Sequence, residues 1–289
     1  MSKDQDWTVV RMLNWATDYF RDKSVASPRL SIEWLLAEVL EIRRLDLYMQ
    51  YDRPLTPQEL NKLRPLVKRR ASHEPLQYIV GYTDFFNCRI NVKPGVLIPR
   101  PETEQLAELI LTNHQHQSDI RVLDVGTGSG CLAIALKYER PGWQVTALDN
   151  STDALESAKA NAELNSVEIK FLEADFAQEH TWKNLDLFDL IISNPPYIPD
   201  KEFENLDLQV REYEPRQALY ATQVTQPYAH LAEMGHTLLK PGGTLYAELN
   251  SSYHQEIAAI FNTGHWSSSE ILEDYGKTPR FLKTVRYTD

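Results

Sequence analysis

Apolar positions recur at two different periods along the chain. Within residues 31–40, Ile32, Leu35, Leu36, Val39 and Leu40 return at i, i+3, i+4, i+7 and i+8, which is one face of a helix. Pro28, Pro54 and Pro57 punctuate this region. Thr56 before Pro57, with Glu59 three residues after it, has the form of a capping box that opens another helix through Leu60, Leu63 and Val67. Residues 1–74 therefore read as a small N-terminal helical bundle. From Tyr82 to Pro99 the period falls to two: Phe86, Cys88, Ile90 and Val92 alternate with Asn87, Arg89 and Asn91, and Pro94-Gly95 signals a turn before Val96-Leu97-Ile98. That pattern predicts a β-hairpin, within residues 75–98, linking two domains.

Beyond the hairpin, short apolar runs alternate with helical ones. Strands are expected at 120–125, 144–148, 167–172, 187–193 and 243–249, with helices at 131–139, 153–165, 227–239 and 255–261. Two further strands, 268–272 and 281–287, flank an Asp274-Tyr275-Gly276 turn. The alternation is that of an α/β domain over residues 99–289, a doubly wound, mostly parallel sheet covered by helices on both faces.

A composition 42% apolar and 25% charged, with mean hydropathy −0.44, excludes disordered, collagen-like and fibrous classes. No apolar run reaches the ~18 residues needed to span a bilayer, so no membrane partner is expected. The first seven residues lack an apolar signal core, and the chain reads as cytoplasmic. Cys88 and Cys131 are too few for a disulfide framework and are not spaced as metal ligands; they read as buried apolar side chains. No His-x-x-x-His pair, Ser-His-Asp set or paired carboxylates are readable, and no metal is expected.

The five residues after Val125 are Gly126-Thr127-Gly128-Ser129-Gly130, between an expected strand and an expected helix. Three glycines in five residues let the backbone turn tightly and approach a ligand with no Cβ in the way. A dinucleotide fingerprint would need glycine at 131, where this chain has Cys131. Asp149, at the end of the next strand and 23 residues after Gly126, is spaced to accept both hydroxyls of a ribose. Loop and carboxylate together describe an adenosine-type site.

The strand at 187–193 runs into Asn194-Pro195-Pro196-Tyr197. The two prolines fix their own φ and hold the residue before them extended, which makes the Asn194 carboxamide and the Pro195 carbonyl rigid acceptors at the carboxyl edge of the sheet. A planar –NH2 group is a poor nucleophile because its lone pair is delocalised. Two rigid acceptors taking both N–H hydrogens turn that lone pair toward an electrophile, and Tyr197 can lie against the face of the planar group.

The Gly-x-Gly-x-Gly spacing after Asp124 resembles the first motif of class I S-adenosylmethionine-dependent methyltransferases, and Asp175-Phe176 resembles the position that brackets the adenine. The Asn-Pro-Pro-Tyr tetrad resembles one shared by methyltransferases of two substrate classes, which the resemblance leaves open here: the amino group of adenine in nucleic acid and the side-chain amide of glutamine in protein. Charge separates them. Residues 1–74 hold 13 basic and 11 acidic residues, net +2, whereas residues 75–289 hold 17 and 30, net −13, within a total of −11 and a pI near 5.3. Extruding a base requires gripping its flanking phosphates, which a catalytic half at −13 repels. No nucleic-acid substrate is expected, and the basic run from Lys62 to Arg70 reads as a solvated helix face.

Pro75-Leu76-Gln77-Tyr78-Ile79-Val80-Gly81, Leu97-Ile98-Pro99-Arg100-Pro101-Glu102-Thr103-Glu104, the glycine loop, Ser193 to Tyr197, and Val210-Arg211-Glu212-Tyr213-Glu214-Pro215 carry a further likeness. On these segments nearly the whole chain resembles the HemK-like peptide chain release factor N5-glutamine methyltransferases. The resemblance implies a Rossmann-like class I methyltransferase domain, S-adenosyl-L-methionine as cofactor, and methyl transfer to the glutamine of the Gly-Gly-Gln loop of class 1 release factors. The sequence is silent on oligomeric state, with a monomer as the default expectation. It implies that Gly126, Thr127, Gly128, Ser129, Gly130, Asp149, Phe176 and Asn194 contact the cofactor. It implies that Asn194, Pro195, Pro196 and Tyr197 act on the glutamine, with Arg100 and Thr103 lining its site; for Arg100 a structural ion pair is an equal alternative. Asn250 stands where the family usually has glycine; asparagine tolerates left-handed backbone, so the turn is expected to survive, while no role is carried over to Glu248. Adenine-N6 methylation and a non-catalytic cofactor-binding adaptor are the competing readings.

Overall fold

A computed structural model of the chain describes residues 7–262 and 264–288. The first six residues, which enter the expectation of no leader, lie outside the described residues. Four helices come first: α1 (Val9–Asp22), α2 (Pro28–Leu40), α3 (Pro57–Ala71) and α4 (Leu76–Val80). The strands β1 (Tyr82–Phe85) and β2 (Cys88–Asn91) follow, then α5 (Pro101–Asn113), β3 (Arg121–Val125), α6 (Cys131–Glu139), β4 (Gln144–Asp149), α7 (Thr152–Leu164), β5 (Lys170–Glu173) and β6 (Phe188–Ser193). Three short helices, α8 (Asp200–Phe203), α9 (Leu208–Tyr213) and α10 (Arg216–Leu219), lead to α11 (Gln226–Leu238), β7 (Leu239–Glu248), α12 (His254–Ile260), β8 (Trp266–Glu273) and β9 (Pro279–Arg286). Contacts divide the chain into two units, one reaching to Gly81 and taking in Asp207–Tyr213, the other holding Tyr82–Leu206 and the chain from Glu214 onward.

The first unit is helical because its apolar residues repeat at helical spacing, and α1 and α3 each start on a threonine whose side chain caps the first turn. Thr56 and Glu59 form the anticipated capping box, the Glu59 amide donating to Thr56 Oγ1 at 3.3 Å and the Thr56 amide to Glu59 Oε2 at 2.8 Å. Met12, Leu13, Phe20, Leu35, Leu36, Leu63 and Val67 meet in one core. The basic run on α3 is not solvated throughout. Arg70 is buried and donates to Ser31 Oγ, to the carbonyls of Ala26 and Glu74, and to Gln209 Oε1 of α9. Burial without a carboxylate hydrogen-bonded to it pushes its guanidinium down to about 10.

The second unit is a seven-stranded sheet in the order β5-β4-β3-β6-β7-β9-β8. The first five strands in that order are parallel, and β9 is antiparallel to both β7 and β8. This is the doubly wound, mostly parallel sheet expected from the alternation of elements. The strand expected at 167–172 begins only at Lys170, because the end of α7 takes the preceding residues: Ser166 has φ +55°, and the Val167 amide caps the Ala162 carbonyl.

The hairpin also departs from expectation. Its turn lies at Phe86-Asn87, with Phe86 left-handed at φ +54° and its amide bound to the Glu104 carboxylate, so Phe86 is not a strand position and 96–98 forms no strand. The hairpin is fastened to α7: Asn161 bridges the backbone of Asn91 and Asn165 that of Arg89. Helix α5 is an element the period reading passed over. Pro101 at its first turn, Glu102 and Glu104 beside it, and buried Leu106, Ala107, Ile110 and Leu111 are the local signals for it.

Candidate active site

Strand register brings the chemistry to one edge. Val125 of β3 pairs with Leu148 of β4 and with Ser193 of β6, and Ser193 pairs with Ala247 of β7. The residues that come next, Gly126, Asp149, Asn194 and Glu248, therefore lie side by side at the carboxyl ends of parallel strands. Strand order reverses at β3, and such a switch point is where open α/β sheets bind ligands.

The glycine loop is held from beneath. The amides of Gly126 and Thr127 both donate to the Leu148 carbonyl at 2.9 Å, and the Thr127 hydroxyl donates to Asp124 Oδ2 at 2.6 Å. Asp124 is buried, which pushes its carboxyl up to about 7. The Ser129 carbonyl accepts from buried Asn161. Gly126, Gly128 and Gly130 have φ of +72°, +56° and +83°. A Cβ at Gly126 or Gly128 would meet nothing within 4 Å, and both positions border the cleft. Gly130 instead faces α7: a Cβ there would lie 3.0 Å from both Ala158 Cβ and Ile134 Cδ1. Left-handed backbone and overpacking together should make Gly130→Val cost about 2–4 kcal/mol, read as a lowered urea midpoint. An unchanged midpoint would show that α6 and α7 part easily.

The cleft above this loop, about 150 Å³, is lined by Gly126, Gly128, Asp149, Phe176, Asn194, Pro195 and Pro196, with the 215–218 segment across from them. Asp149 does two things. Its Oδ2 accepts from the Gly128 amide and its Oδ1 from the Ser151 amide, each at 2.9 Å, so it ties the loop to β4 and keeps a further lone pair on each oxygen. Burial raises its pKa against these bonds. Asp175 spends its carboxylate locally, on the Ala177 amide and Gln178 Nε2, which leaves Phe176 as the ring bordering the cleft. Space free of Cβ atoms, a carboxylate with two open acceptor positions and an aromatic wall fit an adenosyl group. Thr127, Ser129, Arg100 and Thr103 border a smaller adjoining recess that also reaches Asn194, while Gly130 and Tyr197 line neither.

Behind Asn194 runs a chain of hydrogen bonds. Asn194 Nδ2 donates to Thr103 Oγ1 at 3.0 Å, Thr103 Oγ1 donates to Glu248 Oε2 at 2.8 Å, and the Tyr197 hydroxyl donates to Glu248 Oε1 at 2.8 Å. Thr103 and Glu248 are almost wholly buried. A hydroxyl has one proton; with that proton on Glu248, Thr103 can only accept from Asn194. The carboxamide is thereby oriented with Nδ2 inward and Oδ1 toward the cleft. Burial raises the Glu248 pKa, opposed by the Tyr197 and Thr103 bonds.

Two residues behave otherwise than the sequence suggested. Glu248, left without a role, anchors both ends of the Asn-Pro-Pro-Tyr turn. Asn250 is extended, at φ −74°, not left-handed: its side chain donates to the Tyr197 carbonyl at 3.2 Å and to Glu202 at 2.8 Å, and accepts from the Ser252 amide. It fastens the turn where a glycine has no side chain to do so. Of the two readings of Arg100, the ion pair is present: Glu214, buried, accepts from Arg100 at 2.5 Å and from the Ile98 amide at 3.1 Å. That pair clamps the 95–98 and 214–218 segments together beside the cleft. Glu214 lay within a family-like segment, but nothing local in the sequence identified its partner.

Residues 11–81 match the PrmC N-terminal domain and residues 88–210 the Methyltransferase small domain. Over 99% of both chains, the protein is 39% identical to a release factor glutamine methyltransferase of Chlorobaculum tepidum. It is also 39% identical to one of Geobacter sulfurreducens, over 90% of both chains. A methyltransferase crystal structure from Pyrococcus furiosus shares the fold, with TM-score 0.53 and 18% identity over 70% of this chain and 90% of that one. With a class I methyltransferase sheet and relatives 39% identical over 90% or more of both chains, the chain is an enzyme that belongs to the release factor glutamine methyltransferase family.

Proposed function

We propose that the protein transfers a methyl group from S-adenosyl-L-methionine to the side-chain amide N5 of the glutamine in the Gly-Gly-Gln motif of class 1 peptide chain release factors. The observation that carries this reading is the Asn194 side chain, which borders the cleft beside the glycine loop and Asp149 and has its Nδ2 engaged by Thr103, which leaves Oδ1 as the acceptor for a substrate amide. When bound, the cofactor supplies an electrophilic sulfonium methyl group. Asp149 accepts the ribose hydroxyls, Phe176 covers the adenine, and Gly126 and Gly128 leave room for the methionine part. Asn194 Oδ1 and the Pro195 carbonyl accept the two N–H hydrogens of the glutamine amide and turn its nitrogen lone pair toward the methyl group. The methylated nitrogen then loses one proton to solvent, so no strong base is needed in the cleft. Net −13 over residues 75–289 supports a protein amide over an adenine flanked by phosphates.

The test is labelling with methyl-tritiated cofactor of a release factor, the same factor with its loop glutamine replaced, and duplex DNA. Label in the first alone is expected. Equal labelling of both factors, or label in DNA, overturns the reading.

A further inference from the structure

We propose that Thr103 and Glu248 are positioning residues for methyl transfer: their hydroxyl-to-carboxylate bond fixes which face of the Asn194 carboxamide meets the acceptor nitrogen, and Glu248 holds Tyr197 at the same time. The inference rests on Asn194 acting as hydrogen-bond acceptor for the methylated group.

An amide presents two nearly isosteric ends, an acceptor and a donor. Rotation by 180° about χ2 exchanges them at almost no steric cost, so the side chain by itself does not favour Oδ1 toward the cleft. With Nδ2 toward the cleft, Asn194 would face the substrate –NH2 donor to donor. What forbids this is the direction of the bonds behind it. Glu248 as a carboxylate only accepts, and both its oxygens are engaged, Oε2 by Thr103 and Oε1 by Tyr197. The Thr103 proton is therefore committed, and a flipped Asn194 would set Oδ1 against the lone pairs of Thr103 Oγ1. Glu248 is itself kept in place by its own strand, whose carbonyl at 248 accepts from the buried Tyr228 hydroxyl at 2.9 Å. Thr103 is in the first turn of α5, Asn194 follows β6 and Glu248 ends β7, so three elements that never approach in sequence meet at one amide. Thr103 thus acts through Asn194 and not on the substrate directly.

Replacing the members of the relay one at a time tests this. Thr103→Val keeps the volume and removes both the donor and the acceptor; Thr103→Ser keeps both. Glu248→Gln puts a donor into an all-acceptor position, which lets Thr103 turn its proton to Asn194 Oδ1 and flips the amide. Each variant is assayed for turnover on whichever acceptor the wild-type protein labels, so the outcome does not depend on that acceptor being the release-factor glutamine. Cofactor affinity is measured by calorimetry alongside. Expected are a fall in kcat of about 10–100-fold for Thr103→Val and for Glu248→Gln, with cofactor Kd within about threefold of wild type, and recovery of most of the turnover in Thr103→Ser. The double variant Thr103→Val with Glu248→Gln should be no worse than the poorer single one, because both break one relay. Undiminished kcat in Thr103→Val, or Thr103→Ser as slow as Thr103→Val, overturns the proposal. So does a loss confined to melting temperature.

Discussion

Asn194→Ala is expected to lower kcat by about 10²–10³, equivalent to about 3–4 kcal/mol of transition-state stabilisation, while cofactor affinity changes little. The variant removes one oriented acceptor at the point where the amide nitrogen must give up its conjugation to attack. It leaves the Pro195 carbonyl in place, and Asp149, Phe176 and the glycine loop still line the cleft, so most of the cofactor binding survives while the chemical step slows. The effect exceeds that expected for Thr103→Val because alanine deletes the acceptor, whereas valine only frees it to turn. Single-turnover labelling at saturating cofactor isolates the step. A kcat within a few-fold of wild type would mean that the Pro195 carbonyl alone suffices and that the two-acceptor account is wrong.

Asp149→Ala should act on the other half of the site. Two hydrogen bonds from ribose hydroxyls to a carboxylate, at ~1.5–3 kcal/mol each, correspond to a loss of about 10²-fold or more in cofactor affinity. The loop also loses the anchor that Asp149 provides at the Gly128 amide. Asp149→Asn separates the two contributions, because it retains one acceptor oxygen and loses only part of the ribose recognition. Burial raises the pKa of this carboxyl, so on acidification it protonates earlier than a free aspartate would and one acceptor disappears. Cofactor affinity should therefore weaken as pH falls through that raised value. Folding stability without cofactor responds with the opposite sign: a carboxyl with raised folded pKa stabilises fully below its unfolded value and loses that contribution as pH rises through the folded one. Calorimetric titration across this range, with Asp149→Asn giving a weak but flat profile, checks the assignment. An acid limb that persists in Asp149→Asn would point to another group.

What was legible in the sequence was local. A capping box is four consecutive residues, and Thr56-Pro57-Gln58-Glu59 could be read directly. The helix at Cys131–Glu139 begins where the glycines stop, and the strands carry their burial in their own apolar runs. Misreadings arose where a neighbour outside the window decided the conformation. Phe86 looked like an inward strand residue, but the carboxylate of Glu104, 18 residues on, takes its amide and a left-handed turn forms there. Arg70 looked like part of a solvated face, but Ser31, 39 residues earlier, waits beneath it. Asn250 looked like a glycine substitute judged by backbone freedom alone; its side chain instead binds the Tyr197 carbonyl, 53 residues away.

The Asn-Pro-Pro-Tyr turn marks the division between the two kinds of information. Proline geometry, glycine geometry and strand periodicity are properties of short stretches, so a rigid carboxamide at a strand end, a glycine loop and an acidic residue can all be read from the residues alone. Which way that carboxamide faces is settled by the packed fold. Its two ends are almost the same shape and differ in hydrogen-bond character alone, so the choice belongs to partners that arrive from 91 residues away, at Thr103, and through it from Glu248, 145 residues from Thr103. Sheet order sets those meetings, and sheet order depends on how distant strands pack, which no short window of residues records.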